Sequence, residues 1–351
     1  MVPEEWPIET SLEDEGTQPA RPAGRHRLST VRRDFFLSPE DRLTEQERAL
    51  MTSMLADLLG GIADEIRAAI PSGWAAANDE DSQFLFRELS AAGLLDRPGL
   101  IALLLQRADE ERIANAVRAR SGPGGAFLQA LIADEDEFVS ASAMALILAR
   151  GRRRDRLSQP RVEFEDLPFG IARGVAQAVA AVLRRHSRGT SQDGADLRFS
   201  NAAAELLQRR DETKAIDRVT MALVRSLLGA GKLEERLLEA AAEEGDIAFV
   251  AGALAERAGI EPAQAWDHLV DGNGGRLVLL LRMADSSRQF AASLLALLGD
   301  LVGIADLGEE ISRFDGMSDA EVRAGRSALQ LDPAYRSALS ALGGDDGQRA
   351  F

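Results

Sequence analysis

The sequence predicts an all-α protein of short stacked helices in a HEAT-like, solenoid-type arrangement, with one long amphipathic helix near its N-terminus. Three observations carry that reading. Alanine, leucine and arginine dominate the 351 residues, runs of Val, Ile, Thr and Tyr that would build strands are missing, and apolar residues recur at helical spacing. A hydrophobic fraction of 45% over this length is enough to bury a substantial core, although only 5% of the chain is aromatic.

Residues 1–37 mix acidic residues and prolines with a basic group, Arg21, Arg25, His26, Arg27, Arg32 and Arg33. No apolar period survives there, so this stretch reads as a disordered or loosely attached arm, with a docking arm ending in Phe35-Phe36 as the alternative. The long helix is expected over residues 43–70. Thr44 and Glu47 have the spacing of a capping box, and Ser38, Pro39, Glu40 and Asp41 form a second start signal just upstream. Leu50, Met54, Leu58, Ile62, Ile66 and Ile70 recur every four residues, with Met51, Leu55 and Leu59 beside them, which makes a wide apolar stripe. Gly60-Gly61 in its middle costs on the order of 2 kcal/mol relative to two alanines, a cost that a close helix crossing would offset.

Shorter helices are expected at 85–95, 99–106 and 110–120, the last capped by Asp109, before the SGPGG break at 121–125. Two more follow at 126–133 and 135–150. The arginine tract RGRRRDR at 150–156, followed by Pro160 and Pro168, is the best internal boundary, giving helical domains over 38–156 and 157–351. The second holds helices at 169–186, 195–210, 213–228, 232–243, 246–258, 262–270, 276–283 and 286–298. A capping box of Ser318 and Glu321 opens one to 329, and a last helix spans 333–342. Units this short cannot bury their own apolar faces and must stack on neighbours. Residues 94–111 and 233–244 also share a pattern of paired leucines, alanines and an acidic turn.

A formal charge of −16 opposes nucleic-acid binding, because phosphate contacts need a basic surface, and it favours a protein partner with a basic surface. The absence of cysteine removes disulfides, thiol nucleophiles and cysteine metal sites and suits the cytoplasm. The N-terminus starts acidic and carries no apolar leader, and the longest apolar stretches, 169–183 and 290–307, are interrupted by Arg173 or by Gly299-Asp300. They read as buried helices, so no membrane association is expected.

The residues that could carry chemistry give no catalytic, cofactor-binding or metal assignment. His26, His186 and His268 are far apart in sequence. His186 follows Arg184-Arg185 at a helix end, where cations are favoured. Trp266-Asp267-His268 could be an acid/base pair in a hydrolase, with core packing as the plainer reading. Gly229-Ala-Gly-Lys232 lacks the leading glycine, the following Ser or Thr and the preceding strand of a phosphate loop, and reads as a helix-end turn. Asp271-Gly-Asn-Gly-Gly275 lacks the oxygen ligands of a calcium loop. The tract at 150–156 is either a site for phosphate or an anionic partner, or an exposed basic loop.

Three stretches, RLTEQER at 42–48, IAFVAGALAERAGI at 247–260 and SRQFAASLL at 287–295, resemble the uncharacterised bacterial domain-of-unknown-function 2336 family over roughly residues 37–307. The resemblance implies a HEAT-type helical repeat and supplies no catalytic residues. The expected function is a non-catalytic interaction scaffold or regulatory adaptor with an acidic helical surface. Alternatives are a self-assembling structural protein, such as a homodimer paired through the 43–70 helix, and a hydrolase around His268.

Overall fold

The computed structural model describes residues 43–70, 82–122, 124–187, 194–271 and 275–342, apart from the side chains of 333, 334, 337, 340 and 341. Contacts group residues 1–46 and 47–351 into two units; only residues 43–46 of the first are described, and the arm expected at 1–37 lies outside the described residues. Every named element is helical. Among the described residues no strand forms, and a single bridge joins Arg154 to Pro160.

The first helix, α1 (Glu45–Ala69), begins directly after Thr44. The four-residue row points inward: Met54, Leu58, Ile62 and Ile66 are buried, with Leu55 and Leu59 beside them. The glycine pair is half explained. A Cβ on Gly60 would stand 3.2 Å from that of Ser82, where α2 (Ser82–Ala91) begins, whereas Gly61 faces open space.

The helices expected at 99–106 and 110–120 are one helix, α3 (Pro98–Ser121). Asp109 does not cap a new start. Its carboxylate accepts from Arg112 one turn on at 3.1 Å, and no Gly or Pro between Gln106 and Arg112 interrupts the ladder. After the break come α4 (Ala126–Ile132) and α5 (Glu137–Arg152), the latter capped by Asp136, which accepts from the backbone N–H groups of Phe138 and Val139. A 3₁₀ turn, Phe164–Asp166, precedes α6 (Phe169–His186) and α7 (Ala195–Arg209), and another, Glu212–Lys214, precedes α8 (Ile216–Gly229).

Then follow α9 (Glu235–Glu243), α10 (Ile247–Ala258), α11 (Pro262–Val270) and α12 (Gly275–Met283). The next helix, α13 (Arg288–Val302), runs through Gly299-Asp300 and ends at the left-handed Gly303. An element not anticipated from sequence is α14 (Leu307–Gly316), opened by Asp306, whose carboxylate accepts from the N–H groups of Gly308 and Glu309. The capping box of Ser318 and Glu321 opens α15 (Asp319–Leu329), and α16 (Pro333–Leu342) ends the described chain.

The apolar interior forms two clusters that interleave in sequence. One is built from α1, α2, the first half of α3, α6 and α7, and includes Met54, Ile66, Leu85, Leu104, Val179 and Phe199. The other takes Ile113 and Val117 from the second half of α3 and continues through α4, α5 and α8 to α14. At its centre α10 packs against α8, α9, α11, α12 and α3, with Phe249, Val250 and Leu254 fully buried and the Phe249 ring 5.5 Å from that of Phe127. The 24 residues of α3, about 36 Å long, run through both clusters.

Because Leu58 is only 4% exposed, Leu58→Asp places a carboxylate among apolar side chains and should cost at least about 3 kcal/mol. Urea unfolding followed by circular dichroism measures this, and an unchanged midpoint would mean that the row faces solvent. The same burial removes the α1 row as a seam between subunits.

Candidate functional site

A cleft of about 380 Å³ lies where α3, the end of α5, the start of α8 and the turn between α9 and α10 meet. Its charged lining is Arg107, Glu110, Glu111 and Arg118 from α3, Arg150, Arg153, Arg154 and Arg161 from the end of α5 and beyond it, Asp217 from α8, and Glu244 and Asp246 from the turn. Arginine at each of these places makes sense locally. A guanidinium offers several donors in a planar fork, and the four last carbonyls of a helix and the carboxylates of facing helices are both suitable acceptors.

Most of these charges are paired with one another. Arg107, 7% exposed, donates to Asp217 at 2.6 Å and to Glu110. Arg150 meets both oxygens of Asp246 at 2.6 Å, while Asp246 also caps α10 by accepting from the Phe249 N–H. Arg154 donates to Glu111 at 2.6 Å, and Arg118 stands 3.5 Å from the same carboxylate. Glu244 accepts from the N–H groups of Gly125 and Phe127, closing the loop before α4. The turn is tight, since a Cβ on Gly245 would stand 2.8 Å from the Ala114 Cα.

One lining arginine, Arg153, forms the most buried ion pair among the described residues. Arg153 donates to Asp166 through Nε at 2.8 Å and Nη2 at 2.5 Å, and to the carbonyls of Ala149 and Lys214 at 2.9 Å. The Asp166 side chain is 1% exposed and also accepts from the N–H groups of Glu163 and Ile216. Arg210 donates to the carbonyls of Phe164, Glu165 and Leu167 around the same 3₁₀ turn. Three arginines of the tract at 150–156, namely Arg150, Arg153 and Arg154, thus have internal carboxylate partners, whereas Arg152 and Arg156 lie on the surface. Sequence reasoning did not find Asp166 or Arg210. The spacing of Glu163 and Asp166, which form a capping box, was a readable hint for the first.

The other sequence candidates are dispersed. His268 is buried, and its Nδ1 hydrogen-bonds the Gln264 carbonyl at 3.0 Å, while its neighbour Asp267, about 100° round the helix, is exposed. His186 ends α6 with its ring edge-on to Phe84 and 3.8 Å from the Glu88 carboxylate. Gly231, at φ +69°, makes the turn after α8, in which the Lys232 N–H donates to the Leu227 carbonyl at 2.8 Å, and the Lys232 side chain pairs with Asp134. Asp271 pairs with Arg276 at 2.6 Å, while 272–274 and His26 lie outside the described residues. Among the described residues no group of three or more His, Cys, Asp or Glu is arranged around a metal position, and no helix is long and apolar enough to cross a membrane.

Fold and cleft together define an all-helical domain held by arginine–carboxylate pairs. Residues 126–323, more than half of the chain, match the bacterial family described as "uncharacterised protein conserved in bacteria" (DUF2336), and the chain belongs to that family. The match starts later and ends later than expected from sequence. It covers α4 to α14 and the first part of α15, and it includes the stretches at 247–260 and 287–295 but not that at 42–48. No curated protein and no solved structure matches the chain.

Asp166→Ala leaves the Arg153 charge buried without its carboxylate, and should destabilise the fold by about 3–5 kcal/mol in chemical denaturation. A loss below about 1 kcal/mol would place the pair in solvent.

A pH dependence follows from His268. Burial, the largest influence, lowers its pKa below the ordinary histidine value, against the opposing hydrogen bond to Gln264. Between the folded value and the unfolded value of about 6.5 the unfolded chain binds more protons, so this contribution to stability is present above about pH 6.5 and is lost as pH falls through the folded value. Urea midpoints measured from about pH 5 to 8 should therefore fall less steeply on the acid side for His268→Asn than for the native protein.

Proposed function

We propose that the protein is a non-catalytic interaction scaffold or regulatory adaptor of the cytoplasm, whose stacked helices present an acidic surface to a protein partner with a basic one. The observation that supports this reading is the sorting of charge. Arg107, Arg150, Arg153 and Arg154 of the cleft are paired with carboxylates of their own chain, while Asp300, Asp306, Glu309, Asp315, Asp319 and Glu321 are all exposed along α13 to α15, Glu309, Asp315 and Asp319 in surface pairs with Arg313, Arg288 and Arg282. With a formal charge of −16, the summed field steers a basic protein toward the molecule and repels nucleic acid. The successive packing of α10, α11 and α12 accords with a helical-repeat body.

The test is affinity capture from a native bacterial lysate, comparing the full chain with a variant carrying Asp300→Asn, Glu309→Gln and Asp315→Asn. The acidic-surface reading expects a stoichiometric basic protein on the native chain, at least about tenfold less on the variant, and elution above about 0.5 M salt. Equal retention by both chains, or recovery of the chain alone, would overturn it.

A further inference from the structure

The helix α5 carries no charge between Glu137 and Arg150, and its polar side chains there, Ser140 and Ser142, are hydrogen-bonded to the Ile132 carbonyl and to Ser226. Its inner face, Val139, Ala143, Leu146 and Ala149, is fully buried. The outer face is also apolar but bare: Phe138 is 79% exposed, Leu148 58% and Met144 42%, and Ala141, Ala145 and Gly151 are exposed between and beyond them. These positions fall within one arc of the helix at 100° per residue, flanked by exposed Glu137 and Arg152. An exposed apolar patch rimmed by charge marks an association surface.

The order of residues along this face indicates what covers it. Laid antiparallel against its own copy, with the two-fold axis between Met144 and Ala145, the face sets unlike residues at the same level along the helix. Ala141 meets Leu148 at the centre of the arc, Met144 lies level with Ala145, and Glu137 at one end lies level with Arg152 at the other. Near the axis a large side chain thus falls level with a small one and at the ends each charge with its opposite, and the two-fold axis repeats every pairing. A parallel pairing in register would instead set Glu137 beside Glu137 and Phe138 beside Phe138.

We propose that the exposed face of α5 is the seam of an antiparallel homodimer. The proposal does not rest on the acidic-surface reading, since it uses a different face, and either can fail alone. One helix seam is smaller than the roughly 800 Å² per partner of a standard interface, so the dimer should be concentration-dependent.

Sedimentation velocity on the full chain, from about 1 to about 200 µM, tests it. The expected result is a monomer–dimer equilibrium that Leu148→Glu weakens at least about tenfold, with no change in the melting curve at concentrations where the native chain is monomeric, because Leu148 is exposed there. Glu137→Lys and Arg152→Glu should each weaken the dimer, and the two together should restore it, as only an antiparallel pairing of these ends requires. Since the chain has no native cysteine, Ala145→Cys beside the axis should cross-link two chains on oxidation while Ala141→Cys should not. A monomer throughout the range, a dimer indifferent to Leu148→Glu, or cross-linking at 141 as readily as at 145 would each overturn the proposal.

Discussion

The pair of Arg153 and Asp166 is the constraint on which the rest of the structure turns. The chain leaves the second apolar cluster at Ala149, enters the first at Val162, and returns from Leu206 to the second at Ile216. Both crossings pass this pair. Arg153 reaches the Lys214 carbonyl just before the return, Asp166 accepts the N–H of Ile216 just after it, and Arg210 closes the carbonyls of the 3₁₀ turn between them. A buried ion pair returns little net stability compared with apolar side chains of the same shape, because desolvation consumes most of the Coulomb attraction. What the pair contributes is placement. Its donors and acceptors are met in one arrangement, and that arrangement fixes the two crossings side by side.

Arginine makes this possible where lysine would not. Of the 41 basic residues only Lys214 and Lys232 are lysines. Arg153 serves one carboxylate with two nitrogens and two carbonyls besides, and Arg210 serves three carbonyls and the Glu212 carboxylate. A single ammonium has neither the span nor the planar fork for such sets. The high arginine content, which read in sequence as exposed helix ends and a basic loop, is in part an internal fastening system.

That difference marks what the sequence could convey. Helices with a strong period and a local start or stop were legible: 169–186, 262–270 and 333–342 coincide with α6, α11 and α16 to the residue. Errors arose where a side chain's local meaning was ambiguous. Asp109 has the look of a cap yet serves Arg112 inside α3, and Gly299-Asp300 looks like a stop yet lies within α13. The helix α14 was missed although Asp306 stands as its cap and Leu307, Ile311 and Phe314 have helical spacing. The cleft was illegible for a different reason. Arg107 and Asp217 are separated by 110 residues and Arg150 and Asp246 by 96, and nothing local tells an arginine with a distant carboxylate from one in solvent.

The position of α5 connects these features. Its inner face belongs to the second cluster, its last turn supplies the arginines that hold the crossings, and its outer face is apolar and bare. A surface on such a helix starts from a fixed backbone, because one side is packed and one end is clamped by Arg150 and Arg153. Association through it therefore loses side-chain freedom but little backbone freedom, which is the condition under which a small apolar seam yields measurable affinity. The same clamp explains why apolar residues can stand exposed there without unravelling the fold: the helix is held by its inner face and its arginines, and the outer residues remain available for a partner.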